Sequence, residues 1–205
     1  MNTASGSVAA ESTPTAIVEA EEGSTPPRIR LLNAVIKIAS SYGLDKVTYR
    51  SVASEAGLSH GLVRFYFGSK EGMVSQALEH AARLDVAESR IVAESIDSFS
   101  SEFVRTVSSE QSRGLLQYDF LLRAVRGGVP AKDVVALYDF YIEQVSETLR
   151  NVQIQDEDGS FAALILAAVD GLVLQHSIYG SAERTENILE RLRDVLRMLQ
   201  ERGVR

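Results

Sequence analysis

The chain of 205 residues has 45% hydrophobic residues, a formal net charge of −7 and no cysteine. This hydrophobic share is enough for a buried core and excludes a wholly disordered chain, while the missing cysteine excludes disulfides and thiolate metal ligands and is consistent with a reducing cytoplasm. The three histidines are too far apart in sequence to suggest a ligand set, and no Ser-His-acid spacing is visible, so we predict no metal, no cofactor and no enzyme activity.

Residues 1–26 consist mainly of Ser, Thr, Ala, Gly and Glu, with four acids and no base. Such a segment has too few large apolar groups to offset the entropy of ordering. We predict a flexible acidic tail. We expect no secretory signal, because no basic segment precedes an apolar core.

The charge balance reverses over residues 27–80, which carry seven Lys or Arg and four Asp or Glu, a net charge of +3. The first predicted helix begins at Pro27, places Ile29 and Val35 on its apolar face and ends near Gly43. Because the rest of the chain is acidic, this block indicates where nucleic acid could bind.

Residues 48–67 read TYRSVASEAGLSHGLVRFYF and predict two short helices joined by a tight turn. Thr48 is the expected N-cap of the first helix, Gly57 stands where that helix would stop with a positive φ, and Ser59 would cap the second. Val63 and Phe67 would form the inward face of the second helix, since they are four residues apart. In such a helix-turn-helix, the first helix holds the second so that its outer face can enter the major groove.

The outward face of the second helix is unusually apolar. At about 100° per residue, Gly61 and Phe65 point outward, Leu62 and Arg64 flank them, and His60 lies on the side of Arg64. Leu62 and Phe65 could contact thymine methyl groups or could pack against neighbouring helices, and both alternatives remain open. Arg64 could contact a guanine edge or a phosphate.

Two cations, Arg50 and Lys70, fall in the first turn of predicted helices. The helix dipole disfavours a cation there by a few tenths of a kcal/mol, and a bound phosphate would reverse that sign. We therefore interpret both as contacts to the DNA backbone on either side of the second helix; the alternative is that each is an ordinary exposed cation.

Residues 81–205 carry a net charge of −6 and show helical periodicity throughout, without strand-like alternation. Together with the N-terminal helices, they predict an all-α fold of about nine helices. In the helix that follows Pro130, Tyr138 and Tyr141 lie on a face that must be buried. Their hydroxyls need hydrogen-bond partners, which could be core carbonyls or a ligand in a small-molecule pocket.

Residues 161–169 are nine consecutive apolar positions, too few for a membrane span and interrupted by Asp170. We predict that this helix contacts its own domain on one face and a second subunit on the other, and we expect no membrane partner. The last predicted helix carries an apolar seam. Helices at about 160–180 and 183–202 from two chains would form an intermolecular four-helix bundle and thus a homodimer.

The motif resembles the DNA-binding domain of the TetR family of transcriptional regulators over roughly residues 28–80. The match rests on Thr48, Gly57, Ser59, Gly61, Tyr66, Phe67, Ser69, Lys70 and Glu71. The sequence departs from the common pattern at Leu62, where a hydroxyl residue is usual, and at Arg64, where Tyr is frequent. The fold prediction does not depend on either residue, but an operator sequence cannot be borrowed from a relative.

The resemblance implies three domains or segments: the tail 1–26, a three-helix helix-turn-helix DNA-binding domain at 27–80, and a helical ligand-binding and dimerisation domain at 81–205. It implies a cytoplasmic regulator, a repressor in most relatives, that binds a palindromic double-stranded operator as a dimer. The predicted DNA contacts are Thr48, Arg50, Ser59, His60, Gly61, Leu62, Arg64, Phe65, Tyr66 and Lys70.

The resemblance also implies a small-molecule effector that releases the operator. We expect this effector to be aromatic or mostly apolar, because few charged groups fall on the faces that would line its site. Each predicted lining residue could instead belong to the core: these are Phe103, Tyr118, Tyr138, Tyr141 and His176. The alternative to the whole interpretation is a dimeric helical interaction module without DNA binding, in which Leu62 and Phe65 would contact a protein.

Overall fold

The computed structural model describes residues 25–109 and 111–203, and within these ranges all regular secondary structure is helical. The predicted all-α fold is therefore confirmed. The acidic tail predicted for residues 1–26 lies outside the described residues except for its last two positions. The helices are α1 (Pro27–Tyr42), α2 (Tyr49–Ala56), α3 (His60–Phe67), α4 (Lys70–Ser89), α5 (Phe103–Ser109), α6 (Gln111–Val125), α7 (Ala131–Asn151), α8 (Ser160–Tyr179) and α9 (Ala182–Arg202), with a 3-10 turn at Leu44–Lys46 between α1 and α2.

The first hydrophobic cluster joins α1, α2, α3 and α4. Val52 of α2 and Val63 of α3 are fully buried in it against Val35 of α1. Leu116 and Phe120 of α6 belong to the same cluster, so a helix of the C-terminal half completes the core of the N-terminal helices. This shared core fixes the position of α6 against the N-terminal helices.

The second cluster contains the buried faces of α5, α7, α8 and α9, together with apolar side chains from the segment that connects α4 to α5. Apolar spacing after residue 69 predicts one helix that continues to about residue 94, which is wrong, because α4 ends at Ser89 and Arg90 takes a left-handed conformation with φ 57°. The sequence also predicts a short helix from residue 99, whereas α5 starts only at Phe103.

Side chains from α7 and α9 pair with the backbone of this connecting segment, which is not helical. The buried guanidinium of Arg193 in α9 donates through Nε to the carbonyl oxygen of Phe99 at 3.0 Å and through Nη2 to that of Ser100 at 3.3 Å. It satisfies backbone groups that a helix would otherwise have to pair internally. The segment can therefore turn and bury Ile91, Ile96 and Phe99 in the second cluster.

Helix α8 has the length and composition of a membrane span, with 20 residues and a mean hydropathy of 1.7. Within the chain, however, one face of α8 is part of the second cluster, where Ala162, Ile165 and Val169 are buried. The opposite face is open, since Leu164 is 64% and Ile178 73% exposed. A core helix that is apolar on both faces accounts for the composition without a membrane, and the contact of its open face with a second subunit stays a prediction.

Candidate nucleic-acid interface and ligand cavity

Local hydrogen bonds form the helix-turn-helix as the sequence predicts. The Thr48 hydroxyl accepts from the backbone N–H of Ser51 at 3.1 Å, and the Ser51 hydroxyl accepts from that of Thr48 at 2.9 Å, which makes a reciprocal N-cap for α2. Gly57 ends α2 with φ 63° and ψ 37°, a conformation that only glycine adopts at little cost. The Ser59 hydroxyl then accepts from the N–H of Leu62 at 3.3 Å and caps α3.

The orientation of α3 is also as predicted. Val63 and Phe67 are buried, while Phe65 is 79% exposed. Gly61, His60 and Arg64 are exposed, and no described part of the chain covers Phe65. Within the described residues, Phe65 therefore does not pack against a neighbouring helix, which was the alternative to a contact with thymine methyl groups.

Two other predicted contacts are less free. Leu62 is half-buried at the edge of the outward face. Tyr66 packs against the first hydrophobic cluster, and its ring meets Phe65 edge-on at a centroid distance of 5.4 Å. Tyr66 thus supports the position of Phe65, and its own ring remains partly exposed beside it.

Three exposed cations, Arg50, Arg64 and Lys70, surround α3, and none forms an ion pair within the described ranges. Lys70 is the first residue of α4, whose N-terminus is capped by the Ser69 hydroxyl at 2.9 Å from the N–H of Gly72. Arg50 stands in the first turn of α2. Both positions combine a side-chain cation with the positive end of a helix, which favours an anion.

Tyr49 connects the two helix N-termini, a role that reasoning from the sequence missed. Its hydroxyl donates to the carbonyl oxygen of Gly68 at 3.0 Å, between α3 and α4, and its ring packs edge-on against His60. Nearby Arg30 is not free for DNA, because it donates to the carbonyl oxygen of Ala56 at 2.6 Å at the end of α2. No signal in the local sequence distinguishes these structural roles from phosphate contacts.

A cavity of about 100 Å³ lies between α4, α5, α6, α7 and α8. Four of the five residues predicted to line a ligand site surround it together: Phe103, Tyr118, Tyr138 and Tyr141. The prediction for His176 is wrong. Its Nδ1 lies 2.8 Å from the Thr185 hydroxyl and its Nε2 3.1 Å from the Ser108 hydroxyl, so this buried ring joins α8 to α9 and α5 outside the cavity.

As expected, few charged groups line this site: among the described residues they are the two carboxylates Asp85 and Asp170. The Tyr118 hydroxyl donates to Oδ1 of Asp170 at 2.9 Å and lies 2.8 Å from its backbone carbonyl oxygen, and the Tyr138 hydroxyl donates to Oδ2 at 3.2 Å. Burial and the neighbouring Asp170 charge raise the pKa of Tyr138 to about 12 and that of Tyr118 further. Both phenols therefore stay protonated donors at neutral pH.

The second carboxylate, Asp85 of α4, is held in an ion pair. It accepts from Arg113 Nε at 2.6 Å and from Gln117 Nε2 at 2.7 Å, and Tyr141 donates to it at 3.3 Å. Arg113 is almost fully buried and pairs with Glu88 as well. Burial raises the pKa of Asp85 above its ordinary value, although Arg113 and the hydrogen bonds oppose the shift.

The two acids differ in how well the sequence could have revealed them. Asp170 directly follows nine apolar residues, and a carboxylate inside a buried helix needs a specific reason. Asp85 gives no such signal, because its partners come from two other helices. Among the described residues, no group of three or more His, Cys, Asp and Glu side chains could hold a metal ion.

Helix α6 connects the cavity to the helix-turn-helix. Tyr118 and Gln117 face the cavity, whereas Asp119 accepts from the backbone N–H of Leu44 at 3.3 Å in the turn before α2. Arg123 bridges Asp119 at 3.0 Å and Asp45 at 2.8 Å. Helix α6 thus lines the cavity with one face and contacts the turn before α2 with another.

Together, these features define a helix-turn-helix, a motif typical of DNA-binding domains, joined to a helical C-terminal half that encloses a cavity. Residues 31–77 match the family model of bacterial regulatory proteins of the tetR family. The helix-turn-helix belongs to the TetR family, and the resemblance seen in the sequence is confirmed. Similar curated proteins include the HTH-type transcriptional regulator BetI of Burkholderia thailandensis and that of Burkholderia cenocepacia, each 36% identical over 56 residues. That match covers 27% of this chain and only 29% of either relative.

Solved structures extend the likeness in fold to the C-terminal helices. A TetR-family transcriptional regulator from Rhodococcus sp. superposes with a TM-score of 0.64 at 20% identity and covers 83% of this chain and 97% of its own. GusR of Salmonella enterica gives 0.64 at 19% identity, over 90% and 98% of the two chains. The multidrug binding protein EbrR, in complex with imidazole, gives 0.55 at 20% identity, over 82% and 95%.

Proposed function

We propose that the protein is a transcriptional repressor that binds a palindromic double-stranded DNA operator as a homodimer and is released by a small molecule in the cavity. The carrying observation is the outward face of α3. There an exposed Phe65 and an Arg64 that forms no ion pair with any described residue stand between two cation-flanked helix N-termini. A protein of this kind acts on DNA in the cytoplasm.

The charges on this surface suit the two parts of DNA recognition. Arg50 and Lys70 would hold phosphates on either side of α3, which fixes its position in the major groove without reading sequence. Arg64 and Phe65 would then reach base edges, where an arginine can bind guanine and an aromatic ring can contact a thymine methyl group. The remaining predicted contacts, Thr48, Ser59, His60, Gly61, Leu62 and Tyr66, lie along the same two helices or the turn between them.

The open apolar faces of α8 and α9 support a homodimer. Leu174 and Ile178 of α8 are exposed, as are Val195 and Met198 of α9. Isolated apolar residues at a surface are common, but a face that spans two neighbouring long helices favours a partner. A two-fold axis through this face would build a four-helix bundle and would present two copies of α3 to a symmetric operator.

We also propose that residues 27–80 and 81–205 act as the DNA-binding and effector-binding domains, with α4 spanning the division between them. A ligand that changes the packing of α6 in the cavity would act on the turn before α2 through Asp119 and Arg123. The ligand must bind the released state more tightly than the operator-bound state, and such couplings are typically about 1 to 3 kcal/mol.

Selection of random duplex DNA by the purified full-length protein tests the proposal. We expect a two-fold-symmetric motif, and we expect Arg64→Ala to lose or relax it. Arg150→Ala, an arginine replacement on the exposed surface of α7 outside the proposed dimer interface, is the matched control and should retain the same motif. If the folded dimer enriches no motif, the dimeric interaction module without DNA binding becomes the better account.

A further inference from the structure

The two carboxylates of the cavity have different electrostatic environments. Asp85 is paired with Arg113, whereas Asp170 forms no ion pair with any described residue. Among the described residues that line the cavity, there is no lysine, arginine or histidine. Asp170 is therefore an acceptor in a partly buried site whose nearest polar neighbours are neutral phenols.

Acceptor capacity remains at this end of the cavity. A carboxylate oxygen can accept two hydrogen bonds, and the structure gives Oδ1 and Oδ2 of Asp170 one tyrosine donor each. The hydroxyl oxygens of Tyr118 and Tyr138 can also accept. A ligand group that carries several N–H donors would find acceptors at Asp170 and at both phenols.

An independent observation also points to a polar ligand. Thr106 of α5 lines the cavity and is only 4% exposed, and its buried hydroxyl has no hydrogen-bond partner among the described residues. Buried hydroxyls are rarely left without a partner. Thr106 is thus a second polar group in the cavity wall that could pair with a ligand, separate from Asp170.

The remaining walls limit the size and character of the ligand. Phe103, Leu166, Val169 and Val173 form an apolar surface beside Asp170. The cavity of about 100 Å³ is of the same order as one of about 150 Å³ that accommodates benzene. A single ring or a short branched chain fits this volume, and a polycyclic molecule does not.

We propose that the ligand of this cavity is a small protonated amine with one apolar group. Asp170, supported by Tyr118 and Tyr138, binds the ammonium group, and the apolar group lies against α5 and α8. The inference rests on the proposed function only in treating the cavity as the effector site. It replaces the expectation of a mostly apolar effector with a cation of defined position.

Isothermal titration of the full-length protein tests this inference with three pairs of probes that share a carbon skeleton: butylammonium and 1-butanol, cyclohexylmethylammonium and cyclohexylmethanol, 2-phenylethylammonium and 2-phenylethanol. Within each pair, size is nearly constant and charge changes. We expect the ammonium to bind about tenfold or more tightly than the alcohol in at least one pair, because a charge-assisted bond to Asp170 has no equivalent in the alcohol.

Asp170→Asn should remove this preference while leaving the affinity for the alcohol unchanged, and Asp170→Glu should retain part of it. Asp139→Asn makes the same change on α7, where the side chain is exposed and outside the cavity lining, and should alter neither affinity. If Asp170→Asn does not fold, the comparison of ammonium and alcohol on the unmodified protein still decides. No preference for the ammonium in any pair, or a preference that survives in Asp170→Asn, overturns the inference.

Operator release, measured separately, distinguishes this inference from the proposed function. An ammonium that binds through Asp170 but leaves operator affinity unchanged supports the ligand class and contradicts the regulated repressor. An alcohol that binds as tightly as its ammonium partner and releases the operator supports the repressor and overturns the ligand class.

Discussion

Replacing Lys70 with alanine should flatten the salt dependence of operator binding by a calculable amount. The structure places two exposed cations at the helix N-termini on either side of α3, namely Arg50 and Lys70, and neither is paired within the described ranges. A dimer would bring four. If each neutralises one phosphate, the slope of log K against log salt concentration is about −3.6.

The substitution would remove two of these four contacts, one from each subunit. The slope should then be about −1.8. Between about 50 and 200 mM salt, the unmodified protein should lose about 10²-fold in affinity and Lys70→Ala about 10-fold. The ranking of operator sequences should not change, because a phosphate contact carries no base information.

Fluorescence anisotropy with a labelled operator, titrated at several salt concentrations, measures these slopes. Lys132→Ala is the matched control, since Lys132 is exposed on α7 outside the helix-turn-helix. It changes the net charge equally and should leave the slope unchanged. Equal slopes for Lys70→Ala and the unmodified protein, or equal changes for both variants, would refute the assignment of Lys70 to a phosphate.

Three further predictions concern stability and coupling. Gly57→Ala should lower the free energy of unfolding by about 1 kcal/mol, because Gly57 has φ 63°. Gly61→Ala should raise the free energy of unfolding by about 0.5 kcal/mol, because Gly61 lies in a helix with open space around it. Urea unfolding of both variants measures these opposite signs. Arg113→Met should cost about 3 kcal/mol by leaving Asp85 without its cation, and adding Asp85→Asn should recover part of that loss in the same assay. Arg123→Ala should lower the free energy of unfolding by less than about 1 kcal/mol, since its ion pairs are partly exposed. The same variant should weaken the release of the operator by a ligand, measured as the ratio of operator Kd values with and without the bound ligand.

The DNA-binding half was predictable because its signals are local. The caps at Thr48 and Ser59 and the left-handed Gly57 each depend on residues within a few positions along the chain. The inward position of Val63 follows from helical spacing alone. A short sequence contains all the information that these features need.

The C-terminal half was less predictable because its decisive contacts cross long stretches of chain. Arg193 fixes the irregular segment before α5 from 94 positions away, and no periodicity in that segment reveals it. The sequence predicts His176 as a ligand contact, but its ring forms a hydrogen bond with Thr185, since its side of α8 faces α9. Tyr138 and Tyr141 were predictable from the buried face of one helix, whereas Asp85 required three helices to be assembled first.

Helix α4 begins at Lys70, the proposed phosphate contact, and carries Asp85 at the cavity. The two residues are fifteen positions apart, which corresponds to about 22 Å along the helix axis. If the cavity end acts as the pivot, a tilt of about 5° would shift Lys70 by about 2 Å, whereas N–H to oxygen hydrogen bonds span a range of only about 0.5 Å. If Lys70 binds a phosphate, the helix would act as a lever arm, and its length would set how small a rearrangement beside a ligand could break that contact.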